Sequence, residues 1–294
     1  MKEFVIVTDS SCDLSKEYRA KHGIDYARML LNWVENEEDK EVFADLDWEE
    51  ITEHKFYSLQ KDDGIRIRTS LITVEEYCRC FEGPLKEGKD VLYIACSSGL
   101  SASINIGRNA YETILKDKYP NNKVVIVDSL RAGMSQGQII MDAVALKDEG
   151  KSLEEIEQYI LENRLKYWEC GFPDSLLYLK RAGRVKASSA FFANLLGIKP
   201  ILLFDDLGGN LATEKVKGKK KAMQRLGEIV IENIADDNKP IYIMHAECAE
   251  EDLNYMEEVL KEKIPGREIV RQVLGPIIGA SSGPGTLIIN FKGK

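Results

Sequence analysis

The fold is decided by the stretch FVIVTDSS, residues 4–11, in which an apolar run ends in a turn rich in hydroxyl groups. The same arrangement recurs in VLYIACSSG at residues 91–99 and in VVIVDS at residues 124–129. Such runs are typical of buried strands, and the carboxyl ends of parallel strands meet at one edge of an open α/β sheet, where ligands bind. We therefore predict that the three turns converge on one polar site. Neutral hydroxyls and backbone amides there suit a carboxylate or a phosphate.

The composition limits the class of protein. A chain of 294 residues with 44% hydrophobic content is about twice a typical domain, so we expect two domains. A net charge of -9 does not favour binding to nucleic acids or to anionic membranes. No apolar stretch approaches the roughly 20 residues that span a bilayer, and a strand directly follows Met1-Lys2-Glu3. We expect a cytoplasmic protein without an integral membrane segment.

Metal and nucleotide sites are not indicated by the sequence. The six cysteines are scattered without a CxxC pair, and only three histidines accompany them, so we expect neither a metal nor a cofactor. The segment LGPIIGASSGPG, residues 274–285, lacks a Walker A motif, and no dinucleotide fingerprint follows the first strand. We predict that this segment is a glycine-rich loop before the last strand. It forms either one wall of a pocket or a tight connection between two strands.

The order of the predicted elements indicates two kinds of sheet. Helical patterns at 73–77, 101–119 and 135–147 alternate with the strands, which is typical of βαβ units around a parallel sheet. A capping box at Ser152 opens a further helix to about Leu165. Beyond residue 171 we predict an apolar helix near 190–196 and a hairpin turn at 205–210. The predicted fold is α/β, with an N-terminal parallel-sheet βαβ domain at 1–168 and a C-terminal α/β domain with a mixed sheet at 169–294.

Two further functions remain open from the residues alone. A serine activated by His245 would make the protein an acyl hydrolase or a phosphotransferase, although a buried structural histidine is the simpler interpretation. The basic run at 215–221 would suit a protein-interaction adaptor that docks an acidic partner. Similarly, a single serine after a strand is more often a helix cap than a ligand contact.

Motifs along the whole chain resemble the DegV family of fatty-acid-binding proteins. Each motif is weak by itself, but their order and spacing make the resemblance specific. They are VTDSS at 7–11 with Asp13-Leu14, Thr69-Ser70, SSGLS at 97–101, VDS at 127–129, LLYLKRAGRV at 176–185, IKPIL at 198–202, GPIIG at 275–279 and GPG at 283–285.

The resemblance implies a lipid-binding protein without catalytic residues of its own. Such a protein holds one long-chain fatty acid in a tunnel between two domains, and a separate kinase phosphorylates the bound acid with ATP for phospholipid synthesis. The carboxylate is expected at Thr69 and at a serine of the Ser97-Ser98 turn. Ser281 stands where the family commonly has a histidine. The ligand-binding candidates are Thr69, Ser70, Ser97, Ser98, Gly99, Ser281 and Ser282, and the candidates for docking the kinase are Arg181 and Arg184.

Overall fold

The computed structural model describes residues 2–62, 64–186, 188, 191 and 196–294. The helix predicted near 190–196 lies outside these residues, apart from Phe191 and Leu196. The strands are β1 Phe4–Asp9, β2 Asp25–Ala27, β3 Leu30–Glu35, β4 Glu38–Phe43, β5 Arg68–Ser70, β6 Asp90–Ala95, β7 Val124–Asp128, β8 Tyr167–Phe172, β9 Val185–Lys186, β10 Ile198–Phe204, β11 Asn210–Lys217, β12 Ile241–His245, β13 Ile269–Val273 and β14 Leu287–Lys292.

The α-helices follow the predicted βαβ order in the first half of the chain. A π-helical turn at Tyr111–Leu115 and a 3-10 turn at Arg164–Lys166 extend α4 and α6. The α-helices are α1 Lys16–His22, α2 Glu53–Lys61, α3 Val74–Lys86, α4 Ser103–Ala110, α5 Gly133–Asp148, α6 Leu153–Asn163, α7 Leu177–Ala182, α8 Lys219–Asn233, α9 Glu250–Lys263 and α10 Pro276–Ser282.

A parallel sheet of four strands, in the order β2-β1-β6-β7, forms the centre of the N-terminal half. Both faces of this sheet are covered, because neighbouring residues such as Ile6 and Val7 belong to different apolar cores. Strands buried on both faces need continuous apolar runs, which explains why residues 4–7 and 91–95 contain no charged side chain. The predicted parallel βαβ arrangement is confirmed.

A small antiparallel sheet, in the order β4-β3-β5, lies beside the parallel sheet and was not predicted. The tight turn between β3 and β4 places Asn36 and Glu37 at positive φ, which suits a two-residue hairpin. The sequence does not indicate β4, because this largely exposed strand contains four consecutive charged residues at 38–41 and lacks an apolar run. The sheet matters for the site because β5 carries Thr69 and Ser70.

The C-terminal half contains a mixed sheet of seven strands, in the order β13-β12-β14-β8-β10-β11-β9. One face packs against α8 and α9 around residues such as Ile201, Ile243 and Met256. The predicted mixed sheet and the predicted hairpin between β10 and β11 are both confirmed. The predicted domain boundary between residues 168 and 169 falls inside β8 and stays a prediction.

The predicted loop at 274–285 is wrong, because residues 276–282 within it form α10. Pro276 occupies the start of this helix, where the missing N–H of proline is not needed and its fixed φ favours helix formation. The helix predicted at 101–119 is also too long, since α4 ends at Ala110 and a π-helical turn follows. Among the described residues, none of the helices combines the length and the apolar character needed to cross a bilayer.

Candidate functional site

A cavity of about 850 Å³, including the part open to solvent, lies between the two halves of the chain. Residues around β5 and β6 line one side, and β8, β10 and α10 line the other. The walls are mainly apolar and include Met29, Leu100, Phe172, Phe204, Ile278 and Ile288.

The cavity runs along β8 and α10. It is lined by Glu169 and Gly171 of β8 and by Pro173, which follows the strand. From Glu169 to Pro173 the extended chain spans about 13 Å. The first residue before α10, Gly275, donates its N–H to Asp13, whereas Ser282 at the other end of the helix accepts a hydrogen bond from Thr286. The cavity therefore has two different ends. We call them the acid end, at Glu169, which lies near the buried Asp13, and the hydroxyl end, at Ser281, Ser282 and Thr286.

Thr69 and Ser70 belong to the hydroxyl end. Thr69 and Ser281 line both this cavity and a neighbouring groove, which places the two side chains at the same opening. Thr69 is held by the pairing of β5 with β3, opposite Leu31. Its position thus depends on the small antiparallel sheet and not on a flexible loop.

The hydroxyls at this end differ in the protons that they can offer. Ser282 Oγ donates to the carbonyl oxygen of Ile278 at 2.8 Å, and Thr286 Oγ1 donates to the carbonyl oxygen of Ser282 at 3.0 Å. Ser70 Oγ accepts from Asn32 at 2.8 Å, which leaves its own proton available. The proton of Ser282 is thus used within α10, although Ser282 lines the cavity.

Two further hydroxyls at the same end are available. Neither Thr69 Oγ1 nor Ser281 Oγ forms a hydrogen bond with a described residue, and neither is a fully buried atom. Together with Ser70, they provide three neutral donors around one opening. Three hydroxyl protons can satisfy a carboxylate that leaves water, which a single exposed hydroxyl cannot do.

The turn of Ser97, Ser98 and Gly99 borders the cavity but is not among the residues that line it. The buried Ser97 hydroxyl donates to the carbonyl oxygen of Gly208 at 2.7 Å and accepts from the Gly99 N–H at 3.1 Å. Ser98 is exposed, and its N–H donates to Asp128 at 3.2 Å. The neighbours Cys96, Leu100 and Ser101 line the cavity instead.

The three polar turns do approach one another, chiefly through bonds among themselves. Asp9 is buried and accepts hydrogen bonds from the N–H of Cys96 at 2.7 Å and from the hydroxyl of Tyr93 at 3.1 Å. Burial raises the pKa of Asp9 above its usual value, and these hydrogen bonds oppose that rise. The first motif, residues 8–11, therefore holds the parallel sheet together beneath the cavity.

A basic groove adjoins the hydroxyl end. Arg66, Arg68, Arg181 and Arg184 line it, and it encloses about 990 Å³ including the part open to solvent. Arg184 also lines the cavity, where its Nε donates to the carbonyl oxygen of Leu100 at 3.1 Å. Arg66, Arg68 and Arg181 are exposed, and none forms an ion pair with a described residue. The groove therefore carries local positive charge in an acidic chain.

Glu169 at the acid end was missed by the sequence analysis. Burial raises the pKa of its carboxyl to about 7, while a hydrogen bond from Asn290 and the charge of Arg131 oppose the rise. The pKa of Asp13 is also raised, by burial and then by the charge of Glu169. The available signal was a single acidic residue within the apolar run YWECGF at 167–172.

The residues of the two alternative functions lie elsewhere. His245 ends β12, does not line the cavity and forms no hydrogen bond with a serine among the described residues. Burial lowers its pKa, which is typical of a neutral structural histidine. In the basic run, Lys219 pairs with Asp252 at 2.8 Å and Lys220 pairs with Glu251 at 3.9 Å, so part of its charge is neutralised within the protein.

Comparisons with known proteins identify relatives over the full length of the chain. Residues 3–292 match the family model described as an uncharacterised protein of the DegV family. A DegV domain-containing protein of Clostridium perfringens is 35% identical over 294 residues, which cover 100% of this chain and 98% of the relative.

Solved structures show the same fold. The structure of DegV from Bacillus subtilis, described as a fatty acid binding protein, is 29% identical, with a TM-score of 0.82 and coverage of 100% of both chains. The structure of a DegV family protein from Thermus thermophilus, described by its fatty acid binding, is 25% identical. Its TM-score is 0.83, and the match covers 99% of this chain and 100% of that one.

Proposed function

The chain belongs to the DegV family, and from this premise we propose that it binds one long-chain fatty acid in the cavity between its two halves. The observation that carries the proposal is an apolar cavity with three available hydroxyl protons at one end. An acyl chain gains free energy by leaving water, and a carboxylate needs donors once it is desolvated. The fatty acid binding described for the relatives from Bacillus subtilis and Thermus thermophilus supports the same class of ligand.

In the proposed complex, the headgroup lies at the hydroxyl end. Thr69, Ser70 and Ser281 donate to the carboxylate, and Arg184 adds positive charge at the opening. The tail extends along β8 toward Phe204 and Ile278. Ser97, Ser98 and Gly99 contribute by shaping the wall, because the Ser97 hydroxyl is already bonded to Gly208.

Ligand titration of the delipidated protein tests this proposal. We expect submicromolar to micromolar binding of palmitate or stearate, and we expect Thr69→Val to weaken it by about 1 to 3 kcal/mol, because one donor to a desolvated charge is removed. Thr113→Val is the matched control, since Thr113 is exposed and bonds only within its own helix. The proposal fails when no acyl species is found in the purified protein and no added fatty acid binds.

We infer further that the protein presents its bound carboxylate to a separate ATP-dependent kinase in the cytoplasm and has no catalytic activity of its own. The basic groove opens directly onto Thr69 and Ser281, so a partner seated there reaches the headgroup. Exposed arginines without ion pairs favour an acidic docking surface on that partner.

Reconstitution with a bacterial fatty acid kinase and ATP tests the presentation role. We expect acyl phosphate to form, and we expect Arg181→Glu to reduce the rate when the fatty acid is saturating. Arg108→Glu, which makes the same charge change on the exposed surface of α4, serves as the control. Equal rates for the two variants would count against docking at this groove.

A further inference from the structure

Glu169 places an unsatisfied polar atom inside an otherwise apolar part of the cavity. Its Oε2 accepts a hydrogen bond from Asn290 at 3.2 Å. Its Oε1 forms no hydrogen bond with a described residue, yet it is not a fully buried atom, because the side chain lines the cavity. One carboxyl oxygen is therefore presented to the ligand.

Neighbouring protein groups do not donate a hydrogen bond to Glu169 Oε1. The guanidinium of Arg131 donates to the backbone carbonyl oxygens of Tyr167, Leu130 and Leu165 and not to Glu169. Asp13 Oδ2 is buried and forms no hydrogen bond with a described residue, so it does not satisfy Glu169 either.

The two acids face the same small space beside Gly133. A β-carbon at this glycine would lie 3.6 Å from Asp13 Oδ2, 3.6 Å from Glu169 Oε2 and 3.7 Å from Ile278 Cγ1. These are ordinary contact distances, so the two carboxyl groups and Ile278 surround one point next to the Gly133 backbone. Gly133 has φ +57°, a conformation that also disfavours any side chain there.

Building on the proposed function, we propose that the preferred ligand is a fatty acid with a hydroxyl group near the middle of its chain, which hydrogen-bonds to Glu169. A plain alkyl chain would desolvate the carboxyl without replacing its hydrogen bonds, which is unfavourable. Thr286 of the hydroxyl end directly precedes Leu287, which pairs with Phe172, so this end lies about 13 Å from Glu169 along β8. An extended acyl chain advances about 1.2 Å per bond. The hydroxyl is thus expected roughly ten to twelve carbons from the carboxylate.

The protonation of Glu169 is compatible with this contact. Because burial raises its pKa to about 7, both forms are populated near neutral pH. The ionised form accepts a hydrogen bond from the ligand hydroxyl, and the neutral form can also donate one. The charged groups that act on Glu169 from neighbouring segments are Asp13 and Arg131, and Asn290 is its neutral partner.

A comparison of four acids tests the inference: stearic, 2-hydroxystearic, 10-hydroxystearic and 12-hydroxystearic acid. For the delipidated wild-type protein, we expect the better of the 10- and 12-hydroxy acids to bind about tenfold more tightly than stearic acid. The 2-hydroxy acid carries its hydroxyl near the headgroup and should lack this advantage. Glu169→Leu should remove the preference and bind stearic acid at least as tightly as the wild type does, whereas Glu169→Gln should keep part of the preference.

The outcomes separate this inference from the proposed function. Binding of stearic acid without preference for a mid-chain hydroxyl, or a preference that persists in Glu169→Leu, overturns the inference and leaves fatty acid binding intact. Failure of all four acids to bind overturns both. If Glu169→Leu does not fold, as judged by circular dichroism and thermal melting, the wild-type preference and its reduction in Glu169→Gln decide the question.

Discussion

The hydroxyl of Ser97 donates a hydrogen bond to the carbonyl oxygen of Gly208 at 2.7 Å, and this bond joins the end of β6 to the β10–β11 turn. The fit is close, because a β-carbon at Gly208 would lie 2.0 Å from Ser97 Oγ. Gly99 of the same turn approaches the carbonyl oxygen of Leu207, where a β-carbon would lie 2.5 Å from that atom. The two halves of the chain therefore meet through this serine turn, beside the cavity.

We expect Ser97→Ala to lower the free energy of unfolding by about 1 to 3 kcal/mol, because it leaves the buried carbonyl oxygen of Gly208 without its donor. Ser98→Ala is the control, since Ser98 is exposed and its hydroxyl makes no hydrogen bond with a described residue. Its effect should stay within about 0.5 kcal/mol. Urea denaturation measures the free energy of unfolding of both variants. Equal losses of this free energy would contradict the structural role assigned to Ser97.

The basic groove leads to a prediction about association kinetics. Replacing Arg66, Arg68 and Arg181 together by glutamine should slow the association of a fatty acid by several fold at low ionic strength, because rim charges steer an anionic ligand. The dissociation rate should change little. Stopped-flow fluorescence measures both rates, and the difference should shrink at high salt.

The control for this experiment removes three positive charges at the opposite edge of the parallel sheet. These residues are Lys116, Lys118 and Lys123. Lys123 directly precedes β7, whereas the cavity adjoins the carboxyl ends of the strands. A similar slowing in this control would assign the effect to net charge and not to the groove.

The half-buried carboxyl of Glu169 predicts that the free energy of unfolding depends on pH. Its pKa is about 7 in the folded protein against an ordinary value of 4.5, so between these values the folded state retains a proton that the unfolded chain loses. This contribution is fully present below pH 4.5, falls as the pH rises and is lost above about pH 7. Its upper limit is about 3 kcal/mol.

We expect Glu169→Gln to flatten this part of the pH profile, as measured by urea denaturation between pH 4.5 and 8. Asp9 and Asp13 also have raised pKa values and act in the same direction, whereas the lowered pKa of His245 acts in the opposite one. All three remain in the variant, and since the charge of Glu169 helps to raise the pKa of Asp13, the difference between variant and wild type reports Glu169 together with its effect on Asp13. Parallel profiles for the two proteins would contradict the raised pKa.

The parallel sheet could be predicted from the sequence because its strands are buried on both faces. Residues 4–7 and 91–95 are short, continuous apolar runs, which are typical of such strands. The polar turns that follow them lie in contact, as the hydrogen bond between Cys96 and Asp9 shows. Their mutual hydrogen bonds could not be predicted, since a hydroxyl after a strand suits either a ligand or a neighbouring turn. The hydroxyl of Ser97 bonds to a neighbouring turn, at Gly208.

The rest of the site depends on pairing between distant segments. Glycines and prolines at 274–285 indicate a loop, but Pro276 begins α10 and thereby directs Ile277 and Ile278 toward the cavity. Glu169 is opposite Asn290 in the sheet, a pairing over 121 residues of chain that no local pattern reveals. Thr69 and Ser281 were predicted from the family resemblance, and both line the same opening of the cavity.

A buried ionic cluster around Asp142 joins α5 to the C-terminal strand. Asp142 Oδ2 accepts from Lys292 at 2.7 Å and from the hydroxyl of Tyr167 at 2.6 Å, and Oδ1 pairs with Lys239. These partners hold the pKa of Asp142 below its usual value, although burial opposes the shift. The cluster connects the segment before β12 with β8 and β14.

We expect Asp142→Ala to lower the free energy of unfolding by about 3 to 5 kcal/mol, because it leaves the partly buried Lys292 without its carboxylate. Since the folded pKa of Asp142 is depressed, its contribution is present above the ordinary value of 3.8 and is lost as the pH falls below it. Glu112→Ala is the matched control, because it breaks an exposed helical pair with Lys116 that contributes at most about 0.5 kcal/mol. Urea denaturation at pH 7 should separate the two variants clearly, and a loss of under 1 kcal/mol for Asp142→Ala would show that the cluster does not hold α5 to the sheet.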